Sequence, residues 1–284
     1  MDVPDVLQEH RALLERLLPG DRAGELVVHR GQFHQVVIGR TRVVCFARTA
    51  AAAARLPRRA AVLRALAGAG LGFRTPELLE EGPAHLVLGR IPGAPLGEAA
   101  LAAPGAADAV AGQYAALLAG LAAAGSDERV RAALPGAPEG GWRAFADGVR
   151  AELFPLMSAT GRERAGRELA ALDALPHLTT AVVHGDLGRE NVLWDTSGGL
   201  PRLSGVVDWD EVSLGDPAED LAAIGAGHGE ELLRRVIGLR GPDEGVGERV
   251  AAVRGTFALQ QALYARRDGD EEELADGLAG YRRP

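Results

Sequence analysis

Two stretches constrain this chain more than any others: VVHGDLGRENVLWD at residues 182–195 and GVVDWDE at 205–211. An apolar strand runs into His184-Gly185-Asp186, and Asn191 follows that aspartate by five positions. Seventeen residues beyond Asn191, a second apolar strand delivers Asp208. Two acceptors at the ends of neighbouring strands can face one metal ion, with the Asp186 carboxylate beside them. Oxygen donors of this kind suit Mg²⁺, which keeps waters and phosphate oxygens in its other positions. Asp186 is then placed to take a proton from an attacking hydroxyl, and Asn191 and Asp208 to hold the metal. That is the arrangement phosphoryl transfer needs. A lone Asp or Asn in a loop more often satisfies a turn. The spacing of all three is what carries the chemical reading.

The rest of the chain supplies a setting for that motif. Leucines at helical spacing predict a helix over residues 5–18, stopped by Pro19-Gly20. ELVVHR (25–30), HQVVIG (34–39) and RVVCFAR (42–48) predict a three-stranded antiparallel meander. Residues 50–66 predict a helix in which Pro57 must occupy the first turn or a break. PELLEEG and HLVLGRI add two strands around Gly82-Pro83, and IPGAPLG (91–97) reads as a connector. From about residue 100 to 180 the pattern is helical, and after the β-rich patch helices return, including 256–268 and 270–281. The reading is an α+β chain in two lobes. Residues 1–90 form a β-rich lobe with one helix against the sheet, and 91–284 a larger, mostly helical lobe.

Composition narrows the partners. A formal charge of −8 argues against nucleic acid or an anionic membrane and suits a cationic ligand. The single cysteine excludes an internal disulfide framework and a Cys-based zinc site. The uncharged run Ala109–Ser126 reads as a buried helix rather than a membrane span. MDVPDVLQEHR is acidic and lacks an apolar signal core, which points to a cytoplasmic protein.

HGDLGREN followed by VVDWDEVSLGDPAEDLA resembles the aminoglycoside phosphotransferase family of small-molecule kinases. The resemblance implies a protein-kinase-like two-lobed fold, ATP and Mg²⁺ as cofactors, Asp186 as catalytic base, and Asn191 and Asp208 as metal ligands. It implies that His184, Asp216 and Asp220 brace the loop, Asp216 also capping the next helix ahead of Pro217. Nucleotide contacts are expected from Gly31, Gln32, Phe33 and His34 in the first hairpin, and from the main chain of Leu88, Gly89, Arg90 and Ile91. A nearly end-to-end likeness, from RALLERLLPGD through TFALQQALYARRDGDEEELADGL, is to the members that phosphorylate tuberactinomycins. Their acceptors, viomycin and capreomycin, are cationic cyclic peptides phosphorylated on a serine-type hydroxyl. Asp210, Glu211, Asp268, Asp270 and Glu271 are the carboxylates such a peptide would meet, although acids also favour helix starts. The same motifs suit an aminoglycoside or other amino-alcohol kinase. A sequestering protein without catalysis is the alternative of another class.

One part is missing. The chain has no lysine, yet kinases of this type hold the α/β-phosphates with a strand cation oriented by a helix glutamate. Related sequences read roughly RVVRFPR and RLRREAAVL where this chain has RVVCFAR and RLPRRAAVL. Cys45 therefore falls at the cation and Arg59 at the glutamate. Three accounts compete: Arg59 reaches into the space Cys45 vacates, the clamp is lost, or Arg48 or Arg42 fills the role. Alternation puts 43, 45 and 47 on one strand face and 42, 44, 46 and 48 on the other. Cys45 itself reads as a small buried residue rather than a reactive thiol.

Overall fold

The structure is a computed structural model, and it describes residues 3–31, 33–241 and 243–282. The leucine spacing near the N-terminus makes two short helices instead of one, α1 (Val3–Glu9) and α2 (Arg11–Leu17). The break falls at His10, whose φ of −105° and ψ of 18° leave the helical region. Its ring stacks on Phe46 at 4.3 Å between centroids, so a tertiary contact overrides helical periodicity.

The strands β1 (Val27–Arg30), β2 (His34–Ile38) and β3 (Arg42–Ala47) come next, then α3 (Ala50–Ala67), β4 (Leu78–Glu81) and β5 (His85–Gly89). The strands form one antiparallel sheet in the order β1-β2-β3-β5-β4. Thr49 starts α3 by accepting the Ala52 N–H at 3.1 Å. Pro57 sits inside α3, not in its first turn or at a break. It removes one backbone bond, and burial of Leu56, Ala60, Leu63 and Leu66 on the same helix offsets that loss.

Alternation along β3 sorts its faces. Cys45 packs beneath α3 with Leu56, Ala60 and Leu63, while Val44 and Phe46 pack against Leu14 and Leu17 of α2. The same alternation carries Arg42 and Arg48 away from Cys45. Arg42 Nη1 donates to the Leu17 carbonyl at 3.2 Å, and Arg48 Nη1 to that of Gly31 at 2.8 Å.

The connector holds a short strand that composition did not announce, β6 (Ala94–Pro95), paired with Leu193 and Trp194. Proline is tolerated there because β6 is the edge of its sheet. The helices α4 (Glu98–Leu101), α5 (Ala106–Ala124), α6 (Glu128–Ala133), α7 (Gly141–Gly148) and α8 (Ala159–Asp173) follow. By length and composition α5 could cross a membrane. Here its Val110, Tyr114, Leu117 and Leu121 are buried in the main core.

Strands β7 (Ala181–Val183), β8 (Val192–Asp195), β9 (Arg202–Val206) and β10 (Ser213–Gly215) carry the motif region. β6, β8 and β9 form a three-stranded sheet, and β10 pairs with β7. The chain closes with α9 (Ala218–His228), α10 (Glu230–Leu239), α11 (Val246–Gly255), α12 (Phe257–Asp268) and α13 (Glu271–Gly277). α13 ends before the predicted 281, and Tyr281 instead turns back so that its hydroxyl donates to Glu168 at 2.6 Å. One core runs from Cys45 and α3 through α5 to α9 and α11, which fixes the motif loops against the N-terminal sheet.

Candidate active site

The turn after β7 is shaped by Gly185. Its φ is +84°, and a Cβ there would lie 2.6 Å from the Glu211 carbonyl oxygen, so only glycine fits. Asp220, at the start of α9, accepts the backbone N–H groups of His184 at 2.9 Å and Gly185 at 3.1 Å. The buried His184 ring spans two loops: Nδ1 accepts the Asp186 N–H at 3.3 Å and Nε2 donates to Val207 O at 2.9 Å. Burial lowers its pKa to about 4, so the ring is neutral, as that bonding pattern requires. Its edge meets Trp209 at 4.6 Å.

Asn191 and Asp186 are joined directly. Asn191 Nδ2 donates to the Asp186 backbone oxygen at 2.8 Å and to its Oδ2 at 2.9 Å. This leaves Asn191 Oδ1 and Asp186 Oδ1 as acceptors. Burial and the neighbouring Glu190 raise the Asp186 pKa, against the opposing bond from Asn191.

Asp208 is the one non-glycine residue with positive φ, +61°, among the described residues. Aspartate tolerates this left-handed region better than most side chains, and such strain gathers at functional sites. Desolvation and the charges of Asp210 and Asp186 raise its pKa, while Arg59 and His34 lower it. Asp208, Asp186 and the Asn191 oxygen are donors of the hard-oxygen kind a divalent cation takes, and among the described residues no cluster of three or more His, Cys, Asp or Glu side chains is gathered as a closed metal site.

On the sheet side, Gly31 N–H closes the first hairpin on His34 O at 2.9 Å, and Arg55 lies over the Phe33 ring at 4.9 Å. Gln32 lies outside the described residues. Arg59 leaves α3 with its side chain only 11% exposed and places Nε 2.7 Å from Asp210 Oδ1. Its Nη1 lies 3.2 Å from His34 Nδ1, which is also 3.3 Å from Asp210 Oδ2. Cys45 adjoins this guanidinium, and burial raises the thiol pKa, which keeps it protonated. At the strand-to-connector junction, Gly89 N–H donates to Glu77 O and Arg90 N–H to Thr41 O. Among the described residues, no acceptor takes the N–H of the buried Ile91, and Leu88 beside it is buried.

A cavity of about 1020 Å³ opens beside these groups, lined by His34, Arg59, Asp210, Glu211, Tyr264 and Asp268 among others. Burial and Asp210 raise the Glu211 pKa. Asp270 and Glu271 do not line this cavity. Asp270 instead caps α13, accepting the Glu273 N–H at 3.0 Å. Asp216 accepts the Ala218 N–H at 3.0 Å and the Arg249 Nε at 2.8 Å. Burial pushes Asp220 up to about 7, and pushes Glu219 to about 7 as well, helped by the charges of Asp220 and Asp216. Sequence reading missed Arg249, Arg55, Trp142 and Tyr264 as neighbours of this cavity or its supports. None belongs to a local motif. Only packing of α3, α7, α11 and α12 brings them in.

The phosphotransferase enzyme family (APH) matches residues 9–252. The chain belongs to this phosphotransferase family. The phosphotransferase is 70% identical over 285 residues to viomycin phosphotransferase of Streptomyces vinaceus, covering 98% of this chain and 99% of that relative. Among solved structures it resembles the GDP and kanamycin complex of APH(2")-IIia, with a TM-score of 0.83 and 19% identity over 95% of this chain and 96% of the other. It also resembles a macrolide 2'-phosphotransferase type I, at TM-score 0.76 and 24% identity over 100% and 99% of the two chains. These likenesses give the phosphotransferase its fold: the kinase-like one, with a five-stranded antiparallel sheet and a largely helical remainder.

Proposed function

We propose that this phosphotransferase is a resistance kinase that moves the γ-phosphoryl group of ATP to a serine-type hydroxyl of viomycin or a related tuberactinomycin. The observation that carries the chemistry is the bond from Asn191 to Asp186 beside the strained Asp208. The peptide acceptor is supported by the 70% identity to a viomycin phosphotransferase. Residues 1–90 serve as the nucleotide lobe and 91–284 as the catalytic and acceptor lobe.

Asn191 and Asp208 would hold Mg²⁺, whose contribution when bound is to neutralise charge on the phosphates. The chain does the rest. Asn191 Nδ2 fixes Asp186 Oδ2, leaving Oδ1 to receive the proton of the attacking hydroxyl. The acceptor oxygen forms its bond to the γ-phosphorus as the bond to the ADP oxygen breaks, and the hydroxyl proton passes to Asp186. Catalysis is then mainly positioning and electrostatics. Glu211 and Asp268 on the cavity wall offer carboxylates to a cationic peptide, and Tyr264 an aromatic surface beside them. The Ile91 N–H, without an acceptor among the described residues, is a main-chain donor open to a purine base.

The test is ATP consumption with viomycin, capreomycin and an aminoglycoside as separate acceptors, followed by mass analysis. Gain of one HPO₃ by a tuberactinomycin, with none on the aminoglycoside, is the expected result. Transfer to the aminoglycoside alone would replace the acceptor, and binding of antibiotic without turnover would leave a sequestering protein.

A further inference from the structure

The Arg59–Asp210 pair has features that neither a surface ion pair nor an acceptor site explains. Both side chains are largely buried, at 11% and 19% exposure, at the edge of the cavity. Both Asp210 oxygens have close neighbours: Arg59 Nε lies 2.7 Å from Oδ1 as an ion pair out of hydrogen-bond alignment, and His34 Nδ1 lies 3.3 Å from Oδ2. A carboxylate already paired with a buried guanidinium is poorly placed to bind a cationic peptide. Arg59 has donors left over, because a guanidinium presents five N–H groups in a fixed fork. It comes from α3, over the strand position where Cys45 offers no charge. Three segments meet on it: the first residue of β2, the middle of α3, and the loop two residues beyond Asp208. His34 Nε2 is also buried without a partner among the described residues, so the corner keeps a polar group unsatisfied by the chain.

Resting on the phosphotransferase reading above, we propose that this is a transposed phosphate clamp. Arg59 on α3 supplies the cation, and Asp210 on the metal-side loop is the positioning residue that aims it. A strand cation and a helix carboxylate divide those tasks in ordinary kinase-like enzymes. Asp210 draws the Nε edge by charge and His34 Nδ1 lies beside Nη1, which together set the guanidinium plane and leave Nη2 for phosphate oxygens. The pairing also neutralises a cation that would be costly to bury alone before nucleotide arrives. Asp210 thereby acts on the nucleotide through Arg59 and does not contact the acceptor.

The test is steady-state kinetics on the full chain with MgATP and viomycin each varied, for Asp210→Asn, Arg59→Ala and the double variant. Asp210→Asn is expected to raise the KM for ATP by roughly tenfold, the low end of what losing one partner of a close charge pair costs. The KM for viomycin should stay within about twofold. Adding Asp210→Asn to Arg59→Ala should change the ATP KM by less than about twofold, because the aspartate works through the arginine. A raised viomycin KM with an unchanged ATP KM in Asp210→Asn overturns the proposal, as do effects that multiply in the double variant. If circular dichroism finds Asp210→Asn unfolded, Arg59→Lys decides: a raised ATP KM with viomycin unmoved supports the clamp, and an unmoved ATP KM overturns it. A wild-type chain that transfers nothing to viomycin removes the acceptor reading alone. Calorimetric titration with Mg-AMPPNP then reads the clamp, with weaker binding in Asp210→Asn supporting it and equal binding overturning it.

Discussion

Asn191 Nδ2 donates to Asp186 Oδ2 at 2.9 Å, so the two polar ends of the HGD-to-Asn spacing meet as one hydrogen-bonded unit. The bond orients the carboxylate and assigns the Asn191 amide, which leaves its oxygen for a cation. Asp186→Asn removes the proton acceptor while keeping size and polarity. The expected result is a fall in kcat of about 10²–10⁴-fold with viomycin and nucleotide affinity largely kept. Single-turnover kinetics beside equilibrium binding checks this.

Asp186 should also set an acid limb in the pH profile. Burial and Glu190 raise its pKa above the ordinary carboxylate value, so protonation removes the base at a higher pH than for an exposed aspartate. The logarithm of kcat should fall as pH drops through that raised value. Glu190→Gln removes one cause of the shift and should move the limb to lower pH. A limb that stays put in the variant would contradict the assignment.

Asp208 carries its carboxylate on a left-handed backbone, with no salt bridge of its own among the described residues. Asp208→Asn should raise the Mg²⁺ concentration for half-maximal rate by roughly tenfold or more, since a charged oxygen donor becomes neutral. Removing divalent metal with EDTA should abolish transfer reversibly. Activity titrated against free Mg²⁺ measures both.

Glu219 sits in a carboxylate cluster, its pKa pushed up to about 7 by burial and by Asp220 and Asp216. A raised folded-state pKa gives stability that is fully present below the unfolded value and lost as pH rises through the folded one. Glu219→Gln should therefore leave Tm nearly unchanged near pH 4.5 and raise it at pH 8. The gain at pH 8 is about 3 kcal/mol at most. Thermal melts across this range give the answer, and an equal shift at both pH values would rule out the carboxylate's titration as the cause.

Gly185 is held at φ +84° with the Glu211 carbonyl where a side chain would begin. Gly185→Ala must displace the turn between Asp186 and the segment after Asp208. Stability should drop by about 1–3 kcal/mol, and kcat should fall with it because Asp186 moves. Chemical denaturation and kinetics on the same preparation separate the two effects.

Much of this molecule is readable from local pattern. Alternation in β3 dictated that Cys45 faces the core under α3 while Arg42 and Arg48 leave on the opposite side, because successive side chains point to opposite faces. The spacing from Asp186 to Asn191 named two polar groups that the fold joins by a hydrogen bond, and Asp208 at the next strand end lies close enough to feel the Asp186 charge. Where local pattern failed, a distant contact decided. His10 breaks the first helix to stack on Phe46, and Pro57 stays inside α3 because buried leucines on both sides hold that helix.

The sequence by itself determined the five strands of the N-terminal sheet, the motif and the absence of any lysine. It placed Arg59 where a partner was needed without saying which partner. Only the tertiary structure decided that Arg59 meets Asp210 and His34, that Asp216 meets Arg249, and that Asp270 is spent on a helix cap. Those pairs join residues 25 to 151 positions apart, except the cap, which lies within one turn. Helical and strand periodicity report which face of an element is apolar. They carry no information about which buried charge will face it across a cleft.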